Sequence, residues 1–312
     1  MKNCIMIYNP NSGHTMNEDN LKTAKKLLPK YGYNVKIIPT KYAGHAKEIV
    51  SHLEKCDLVI SVGGDGTFNE VVTGNMERKE RLLVANIPIG TTNDVGTMFG
   101  YGKNFENNLN LLMEGSKKNI DICTVNGRPF VYVAGLGKFI NIAYDTPRYM
   151  KQKYGYLAYL FEGIKDFFKP IKSYKVNYEV NGLKKTGYFS FMLISNANRI
   201  AGVNMFYKDV KLDDNQFEVL LCNFSTRRAI IRTLRLLIDN DPNKISGLEF
   251  YKTSSIKFEF EHHPKKSWCI DGEKLDRNTK VYDFKTVNDF EIMMPNKNVK
   301  KLFLKKDNLI ND

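Results

Sequence analysis

A glycine-rich stretch at residues 62–72, VGGDGTFNEVV, has the composition of a phosphate-binding loop. It follows an apolar run at residues 58–60 that is typical of a buried parallel strand, and it leads into a helical pattern. Strand, glycine loop and helix N-terminus in this order bring unpaired N–H groups and the positive end of the helix dipole to one point. Because Gly63, Gly64 and Gly66 carry no Cβ atom, an anion can approach the backbone closely. The stretch therefore predicts a phosphate site.

Asp65 lies in the middle of this loop, where a carboxylate would repel phosphate unless a divalent cation sat between them. We therefore predict that Asp65 serves Mg²⁺ or its bound waters. The alternative is a tight turn in which Asp65 only caps the helix. The loop by itself leaves both interpretations open.

Further polar loops are predicted at the same edge. Residues 1–120 alternate short apolar runs with helical patterns, which predicts an open, mostly parallel α/β sheet with helices on both faces. Ligands of such sheets bind outside the carboxyl ends of the strands. The loops after the first, second and fourth strands carry Asn9-Pro10-Asn11-Ser12-Gly13, Thr40 and Pro88-Ile89-Gly90-Thr91-Thr92-Asn93-Asp94. Turn chemistry would explain any one of these loops, but their position at one edge favours a shared site.

The pattern changes after residue 120 to short, alternating, aromatic-rich runs. The pairs Asn126-Gly127 and Asn181-Gly182 are hairpin signals between such runs. We therefore predict an α/β domain at residues 1–120 and an antiparallel β-sandwich with inserted helices at residues 121–294. The polar tail, residues 295–312, is expected to return to the first domain.

Two inserted helices are predicted, at residues 154–168 and 226–238. The first has a stripe of apolar residues at helical spacing, for which we predict a core-facing position, with a lipid-facing position as the alternative. The stripe consists of Leu157, Leu160, Phe161, Ile164 and Phe168. The second presents Arg228, Arg232 and Arg235 on one face, which is either a solvated basic face or a membrane-surface element.

The charge and cysteine content restrict the environment. The net charge of +13 implies an anionic partner. No zinc-finger or RNP-type motif indicates nucleic acid, and dispersed basic groups suit an anionic membrane surface.

The five cysteines are scattered singly, which predicts reduced thiols in a cytoplasmic protein. No apolar run approaches the roughly 20 residues of a membrane span, and Pro10 interrupts the N-terminus too early for a signal peptide. We expect a cytoplasmic protein that associates reversibly with the inner membrane surface.

The motifs NPNSG, GGDGTFNEVV, PIGTTND, AGVNMFYKDVKLDDNQF and DGE occur in this order along nearly the whole chain. Together they resemble the bacterial diacylglycerol kinase (YegS/BmrU) lipid kinase family, whereas GGDG alone is shared with NAD kinases and phosphofructokinases. The resemblance implies a two-domain enzyme that uses ATP and Mg²⁺ in the cleft between the domains. Its expected reaction is phosphorylation of a membrane lipid hydroxyl, with diacylglycerol giving phosphatidate.

Carried over position by position, the resemblance implies a set of site residues. Those expected to bind the nucleotide are Asn9, Pro10, Asn11, Ser12, Gly13, Thr40, Gly64, Asp65, Gly66, Thr67, Phe68, Asn69, Glu70 and Thr91. A Mg²⁺–water network is implied at Asp65 and Asp94, and a general base at Glu273, which by sequence alone is equally a hairpin residue. A structural Mg²⁺ is implied at Lys211, Asp214 and Gln216, with the Asp214 carboxylate and backbone carbonyls as ligands.

Two departures from the family pattern bear on these assignments. Asn215 stands at a position where glycine is common in the metal loop, and Lys138-Phe139 replaces a more glycine-rich segment that bears on substrate choice.

The sequence leaves two other function classes as alternatives. A soluble-metabolite kinase of the NAD kinase type is disfavoured by the residues after GGDGT and by PIGTTND. A non-catalytic nucleotide- or lipid-binding module would be expected to lack an essential carboxylate, whereas Asp65, Asp94 and Glu273 are all present. A homodimer is compatible with the sequence, and the choice among diacylglycerol, phosphatidylglycerol and a sphingoid alcohol is left open.

Overall fold

The first half of the chain is a parallel sheet packed against helices. The computed structural model describes residues 1–12, 16–140, 156–200, 203–204, 209–239, 245, 247–276, 278–297 and 299–304, with side chains except in 156–161, 203–204 and 234–239. The first four strands are β1 (Lys2–Tyr8), β2 (Tyr33–Pro39), β3 (Leu58–Gly63) and β4 (Val84–Pro88). The accompanying helices are α1 (Glu18–Leu27), α2 (His45–His52), α3 (Asp65–Met76), α4 (Asp94–Met98) and α5 (Phe105–Met113), with a 3₁₀ turn at Leu28–Tyr31. The strands run parallel in the order β2-β1-β3-β4, and the apolar strands β3 and β4 are buried throughout, as central parallel strands require.

The second half is built from antiparallel strands and two helices. The strands up to the middle of this half are β5 (Ser116–Val125), β6 (Arg128–Phe130), β7 (Val133–Gly137), β8 (Tyr174–Val180), β9 (Leu183–Phe189), β10 (Phe191–Ser195), β11 (Arg199–Ile200) and β12 (Val203–Asn204). The remaining strands are β13 (Phe217–Cys222), β14 (Leu248–Thr253), β15 (Ser255–Phe260), β16 (Cys269–Ile270), β17 (Glu273–Lys274) and β18 (Val281–Met294). The helices are α6 (Tyr156–Phe168) and α7 (Arg227–Asp239), and a 3₁₀ turn follows at Lys300–Leu302. One sheet of this half has the order β14-β13-β10-β7-β16-β17. The predicted fold class, α/β followed by an antiparallel β-sandwich with inserted helices, is confirmed.

Strand β18 joins the two halves. It pairs parallel with β4 and antiparallel with β5 and β15, so the parallel sheet continues into β15, β8 and β9 as one ten-stranded sheet. Its register against β5 shifts between Val287 and Phe290, where Asp289 adopts a positive φ of 61°. Such a bulge bends a strand and increases its twist. Side chains of this one strand therefore pack into two different hydrophobic cores.

The cores divide along β18. Phe290, Ile292 and Met294 belong to the core of the parallel half, together with Val299 and Leu302 of the tail. Before the bulge, β18 contributes Tyr282 and Phe284 to an aromatic core with Phe258 and Trp268. The Phe284 ring lies 4.9 Å from the Trp268 ring and 5.9 Å from the Phe258 ring, centroid to centroid.

Helix α6 corrects one prediction. Ile164 and Phe168 of the expected core stripe are 50% and 62% exposed, while Leu157, Leu160 and Phe161 have side chains outside the described residues. The buried residue of the last turns is Asp166, whose carboxylate accepts the Phe139 N–H at 2.9 Å and lies 3.7 Å from the Lys138 ammonium. An ionic contact, rather than the apolar stripe, therefore orients this end of the helix.

Among the residues of helix α7 whose side chains are described, Ile230 packs into the protein. Ile230 is fully buried in a third, small core, whereas Arg228, Ile231 and Arg232 are exposed; the side chain of Arg235 lies outside the described residues. The Thr226 hydroxyl accepts the Ala229 N–H at 3.1 Å and caps the helix. Across the described parts of the chain, no helix is long and apolar enough to span a membrane.

The aromatic core gives a stability prediction. Phe284→Ala should lower the free energy of unfolding by about 3–5 kcal/mol, because it removes a fully buried ring and leaves a cavity. Tyr188→Ala, at a residue that is 55% exposed, is the matched control and should cost less than about 1 kcal/mol. Urea unfolding followed by fluorescence compares the two, and equal shifts would contradict the assignment of Phe284 to a tightly packed core.

Candidate functional site

The glycine loops after β3 and β4 touch each other. Gly64 precedes α3 in an extended conformation, and a Cβ atom on Gly90 would lie only 2.5 Å from the Gly64 Cα. These two glycines therefore let the loops approach backbone to backbone. A Cβ on Gly66 would meet nothing within 4 Å, so the first turn of α3 is open at that position.

Asp65 caps a helix, but not the one that it begins. Its carboxylate accepts the N–H groups of Asp94 at 2.9 Å and Val95 at 3.1 Å, which are the first two amides of α4. Burial, together with the neighbouring Asp94 carboxylate, raises the pKa of Asp65 to about 7, although the two amides oppose the shift. A cation at this point would favour the ionised form of Asp65.

Asp94 completes a pair of buried carboxylates at the N-terminus of α4. It is 1% exposed, and its Oδ1 lies 3.3 Å from Nε of Arg199 in β11. Arg199 comes from the second half of the chain, so both halves contribute charge here. The structure thus brings together Asp65 and Asp94, which sequence reasoning assigned to one Mg²⁺ network.

The loops after β1 and β2 reach the same edge. The Asn9 side chain accepts the Asn11 N–H at 2.9 Å and donates to the Thr67 hydroxyl at 3.4 Å. The N–H of Thr40 donates to the carbonyl of Tyr8 at 2.8 Å, at the end of β1. Pro10 and Ser12 are partly exposed and Thr91 is exposed, while Gly13 lies outside the described residues.

Three residues of the predicted nucleotide set have side chains committed to other contacts. Phe68 is fully buried against Phe99, with ring centroids 6.4 Å apart. Glu70 accepts the N–H groups of Gly44 at 2.8 Å and Ala46 at 3.1 Å, and so caps α2. The Asn69 amide donates to Asp271 at 2.6 Å. The assignment of Phe68, Asn69 and Glu70 to nucleotide binding stays a prediction. Because their side chains are engaged elsewhere, only their main-chain atoms would be available for that contact.

Asp271 is the residue that sequence reasoning missed. It is buried, and besides the Asn69 amide its carboxylate accepts the N–H groups of Val131 at 2.6 Å, Tyr132 at 3.2 Å and Val133 at 3.0 Å. Burial raises the pKa of Asp271 to about 6, whereas these donors lower it, so it is ionised at neutral pH as four donors require. The Asp-Gly turn was visible in the sequence, but its role depends on contacts 138 to 202 residues away.

Glu273 follows this turn and lies close enough to Glu70 of α3 for the two charges to interact. It is half exposed, and its Oε2 accepts a hydrogen bond from Nη2 of Arg128 at 2.8 Å. Burial raises the pKa of Glu70, and the charge of Glu273 contributes to that shift. Glu273 therefore stands on the second half of the chain, close to the helix that begins at the glycine loop.

The loop at residues 211–216 has the oxygen-rich character expected of a cation site. Asp214 accepts the Gln216 N–H at 3.0 Å, and the Lys211 ammonium donates to the carbonyl of Lys301 at 2.8 Å. Nearby, Oε2 of buried Glu218 has no hydrogen-bond partner. Burial raises the pKa of Glu218 to about 8; Lys252 opposes the shift and the Asp214 charge adds to it. An acidic loop with an unsatisfied carboxylate oxygen fits a cation.

The comparisons with known proteins agree with this arrangement. A family model described as the diacylglycerol kinase catalytic domain matches residues 3–125. The chain is 28% identical over 276 residues to the diacylglycerol kinase of Bacillus subtilis (strain 168), covering 88% of this chain and 90% of that protein. It is 30% identical over 258 residues to the diacylglycerol kinase of Staphylococcus aureus (strain JH9), covering 82% of this chain and 81% of that protein.

The chain belongs to the diacylglycerol kinase family. It is accordingly an enzyme, a lipid kinase, and the resemblance stated from its motifs is confirmed. A crystal structure of a diacylglycerol kinase from Bacillus anthracis str. Sterne superimposes with a TM-score of 0.77 at 23% identity, covering 95% of this chain and 98% of that chain. At that identity the likeness establishes the fold.

The four donors to Asp271 give a prediction for this kinase. Each carboxylate oxygen takes two N–H groups, so Asp271→Asn leaves two donors facing an NH₂ group whichever way the amide turns. We expect a loss of at least about 2 kcal/mol of unfolding free energy. The control Asp276→Asn removes an exposed carboxylate five residues away and should cost less than about 0.5 kcal/mol.

Urea unfolding monitors both variants, with Asn69→Ala as a third. Asn69→Ala removes one donor and keeps the carboxylate, so its effect should fall between the other two. Wild-type stability in Asp271→Asn would show that the carboxylate does not hold the turn.

Proposed function

We propose that this kinase transfers the γ-phosphoryl group of ATP, with Mg²⁺, to the free hydroxyl of diacylglycerol and forms phosphatidate. The observation that supports phosphate binding concerns three helix N-termini at one sheet edge, of which two are capped by a carboxylate and one is not. Asp65 and Glu70 occupy the first amides of α4 and α2, whereas α3 begins at Gly64, which has no side chain to cap it. An uncapped N-terminus beside glycines is suited to an anion. The names of the relatives support the lipid acceptor.

The donor set at this edge fits a magnesium nucleotide. Among the described residues, no three His, Cys, Asp or Glu side chains converge as a metal site. Asp65 and Asp94 supply two carboxylates, and proteins commonly bind Mg²⁺ through one or two carboxylates together with substrate phosphates. Asp65 and Asp94 would hold the ion or its waters, and when bound it would neutralise phosphate charge. The loops carrying Asn9, Thr40 and Thr91 would position the nucleotide from either side.

Glu273 is our candidate for the base that accepts the proton of the lipid hydroxyl. Its position on the second half, near Glu70 of α3, supports this role, because a base must meet the acceptor on the side opposite the nucleotide. The buried Asp271 fixes the turn that carries it. A positioned carboxylate contributes by general base catalysis and by orienting the acceptor. The structural cation is assigned to the loop of Lys211, Asp214 and Gln216, which the acidic character of that loop supports.

We also propose that α6 and α7 form the surface that meets the membrane. Exposed Ile164 and Phe168 of α6 lie beside α7, because the Arg227 guanidinium donates to the Phe168 carbonyl at 2.6 Å and lies 5.6 Å from the Phe168 ring. Along α7 after Arg227, Ile231 and the basic residues Arg228 and Arg232 are exposed. Apolar side chains among arginines are typical of elements that bind anionic lipid.

The reaction can be tested directly. Purified protein with labelled ATP, Mg²⁺ and diacylglycerol in anionic vesicles should form labelled phosphatidate, and omission of Mg²⁺ should abolish it. Asp65→Ala should reduce turnover by at least about 100-fold, since a group that positions charge at the phosphates is lost. The variant also loses the α4 cap, so its unfolding midpoint is measured alongside.

Asp65→Ala with near-normal turnover would remove Asp65 from the metal role. Turnover of a soluble alcohol without vesicles, and none with lipids, would favour the soluble-metabolite alternative.

The membrane surface is tested by vesicle sedimentation. The triple variant Phe168→Ser, Arg228→Gln, Arg232→Gln should bind phosphatidylglycerol vesicles at least about tenfold more weakly at low salt, with a smaller difference at high salt because charges are screened. The control Leu183→Ser, Lys25→Gln, Lys26→Gln removes one exposed apolar and two exposed basic side chains elsewhere. Equal losses in the two triple variants would show that only net charge matters.

A further inference from the structure

Arg128 forms an ion pair with the candidate base Glu273, and this ion pair contributes little to the stability of the fold. Its Nη2 lies 2.8 Å from Oε2 of Glu273, and the two side chains are 37% and 50% exposed. Exposed ion pairs contribute between about 0 and 1 kcal/mol. The pair is therefore better explained by what it does for Glu273 than by what it adds to folding.

The geometry of this pair is imposed by the buried core. Arg128 opens β6, three residues before the amides that bind Asp271, and Glu273 lies two residues after Asp271. The carboxylate of Asp271 thus fixes both backbone segments that carry the pair. An incidental contact between two long surface side chains would not have both of its backbone segments fixed in this way.

The other carboxylate near Glu273 does not compete for the arginine. Both oxygens of Glu70 accept amides of the α2 N-terminus. Both carboxylate oxygens of Asp271 are likewise engaged, because each accepts two N–H groups. Among these three acids, Glu273 is the one whose carboxylate meets a side-chain cation.

We propose that Arg128 positions Glu273 for proton transfer and then binds the phosphate group that the transfer creates. This inference rests on the proposed function. In the step, the lipid hydroxyl oxygen bonds to the γ-phosphorus of ATP while the bond from that phosphorus to the β–γ bridging oxygen breaks, its electron pair leaving with ADP. The hydroxyl proton passes to Glu273. Glu273 thereby loses its negative charge at the moment when a phosphomonoester forms beside it.

The arginine side chain suits this change of partner. A guanidinium presents parallel N–H donors that match both carboxylate and phosphate oxygens. Protonated Glu273 is a weak acceptor for a cation, and the phosphomonoester is a strong one. Arg128 therefore holds the base in place before the reaction and stabilises the transferred phosphoryl group after it.

The test uses Arg128→Gln and Arg128→Lys, with Arg81→Gln as the control that removes an exposed arginine far from the site. Short-chain diacylglycerol and short-chain phosphatidate, both below their aggregation concentrations, remove the influence of vesicle binding. Steady-state kinetics give kcat and KM, and calorimetry measures phosphatidate binding to the full chain in the presence of ADP. Thermal unfolding checks that each variant is folded.

For Arg128→Gln we expect both kcat and phosphatidate affinity to fall about tenfold, as for loss of a charged hydrogen bond. The KM for diacylglycerol should change less than about twofold, because the acceptor is neutral. Arg128→Lys should recover much of the phosphatidate affinity but less of kcat, since it restores charge without the fork geometry. Arg81→Gln should match the wild type.

Wild-type phosphatidate affinity in Arg128→Gln would overturn the inference while leaving the proposed function intact. Equal effects of Arg128→Gln and Arg81→Gln would do the same. A wild-type protein that forms no phosphatidate would instead defeat the proposed function, and this inference with it.

Discussion

A buried carboxylate with four N–H donors connects the two halves of this kinase. Asp271 receives three consecutive backbone amides at residues 131–133 from its own half and the Asn69 amide from α3. A buried carboxylate is stable only when its oxygens are satisfied, so these contacts constrain one another. The turn that carries Glu273 and the helix that follows the glycine loop are consequently held in one arrangement. The relative position of the candidate base and the candidate phosphate site depends on this link.

The two acidic residues of the glycine motif stabilise the helices next to it. Asp65 and Glu70 each reach out of α3 to cap a neighbouring helix, α4 and α2 respectively. Their charges complement the positive ends of those helix dipoles and leave the N-terminus of α3 for an anion. The motif GGDGTFNE thus caps the two neighbouring helices, while the N-terminus of its own helix has no side-chain cap.

The long strand β18 gives the two halves a shared backbone. Because it pairs with β4 on one side and continues into β15, the sheet is unbroken between the phosphate edge and the sandwich. The bulge at residues 287–290 lets one strand face the core of the parallel half with its last residues and the aromatic core with its first. A sheet of this kind restricts relative motion of the halves, because opening would break ladder hydrogen bonds.

Sequence patterns predict the alternation of strands and helices, the loops at the sheet edge, the hairpin turns and the family, because each is encoded within a few neighbouring residues. They also gave the residues of the carboxylate pair. The tertiary structure decided which helix Asp65 caps, that Glu70 and Asn69 are engaged, and that Ile164 and Phe168 face outward. It alone placed Arg128 beside Glu273, 145 residues away, and Asn69 beside Asp271, 202 residues away. Partners so distant in the chain are selected by burial and charge compensation, which no local pattern of residues records.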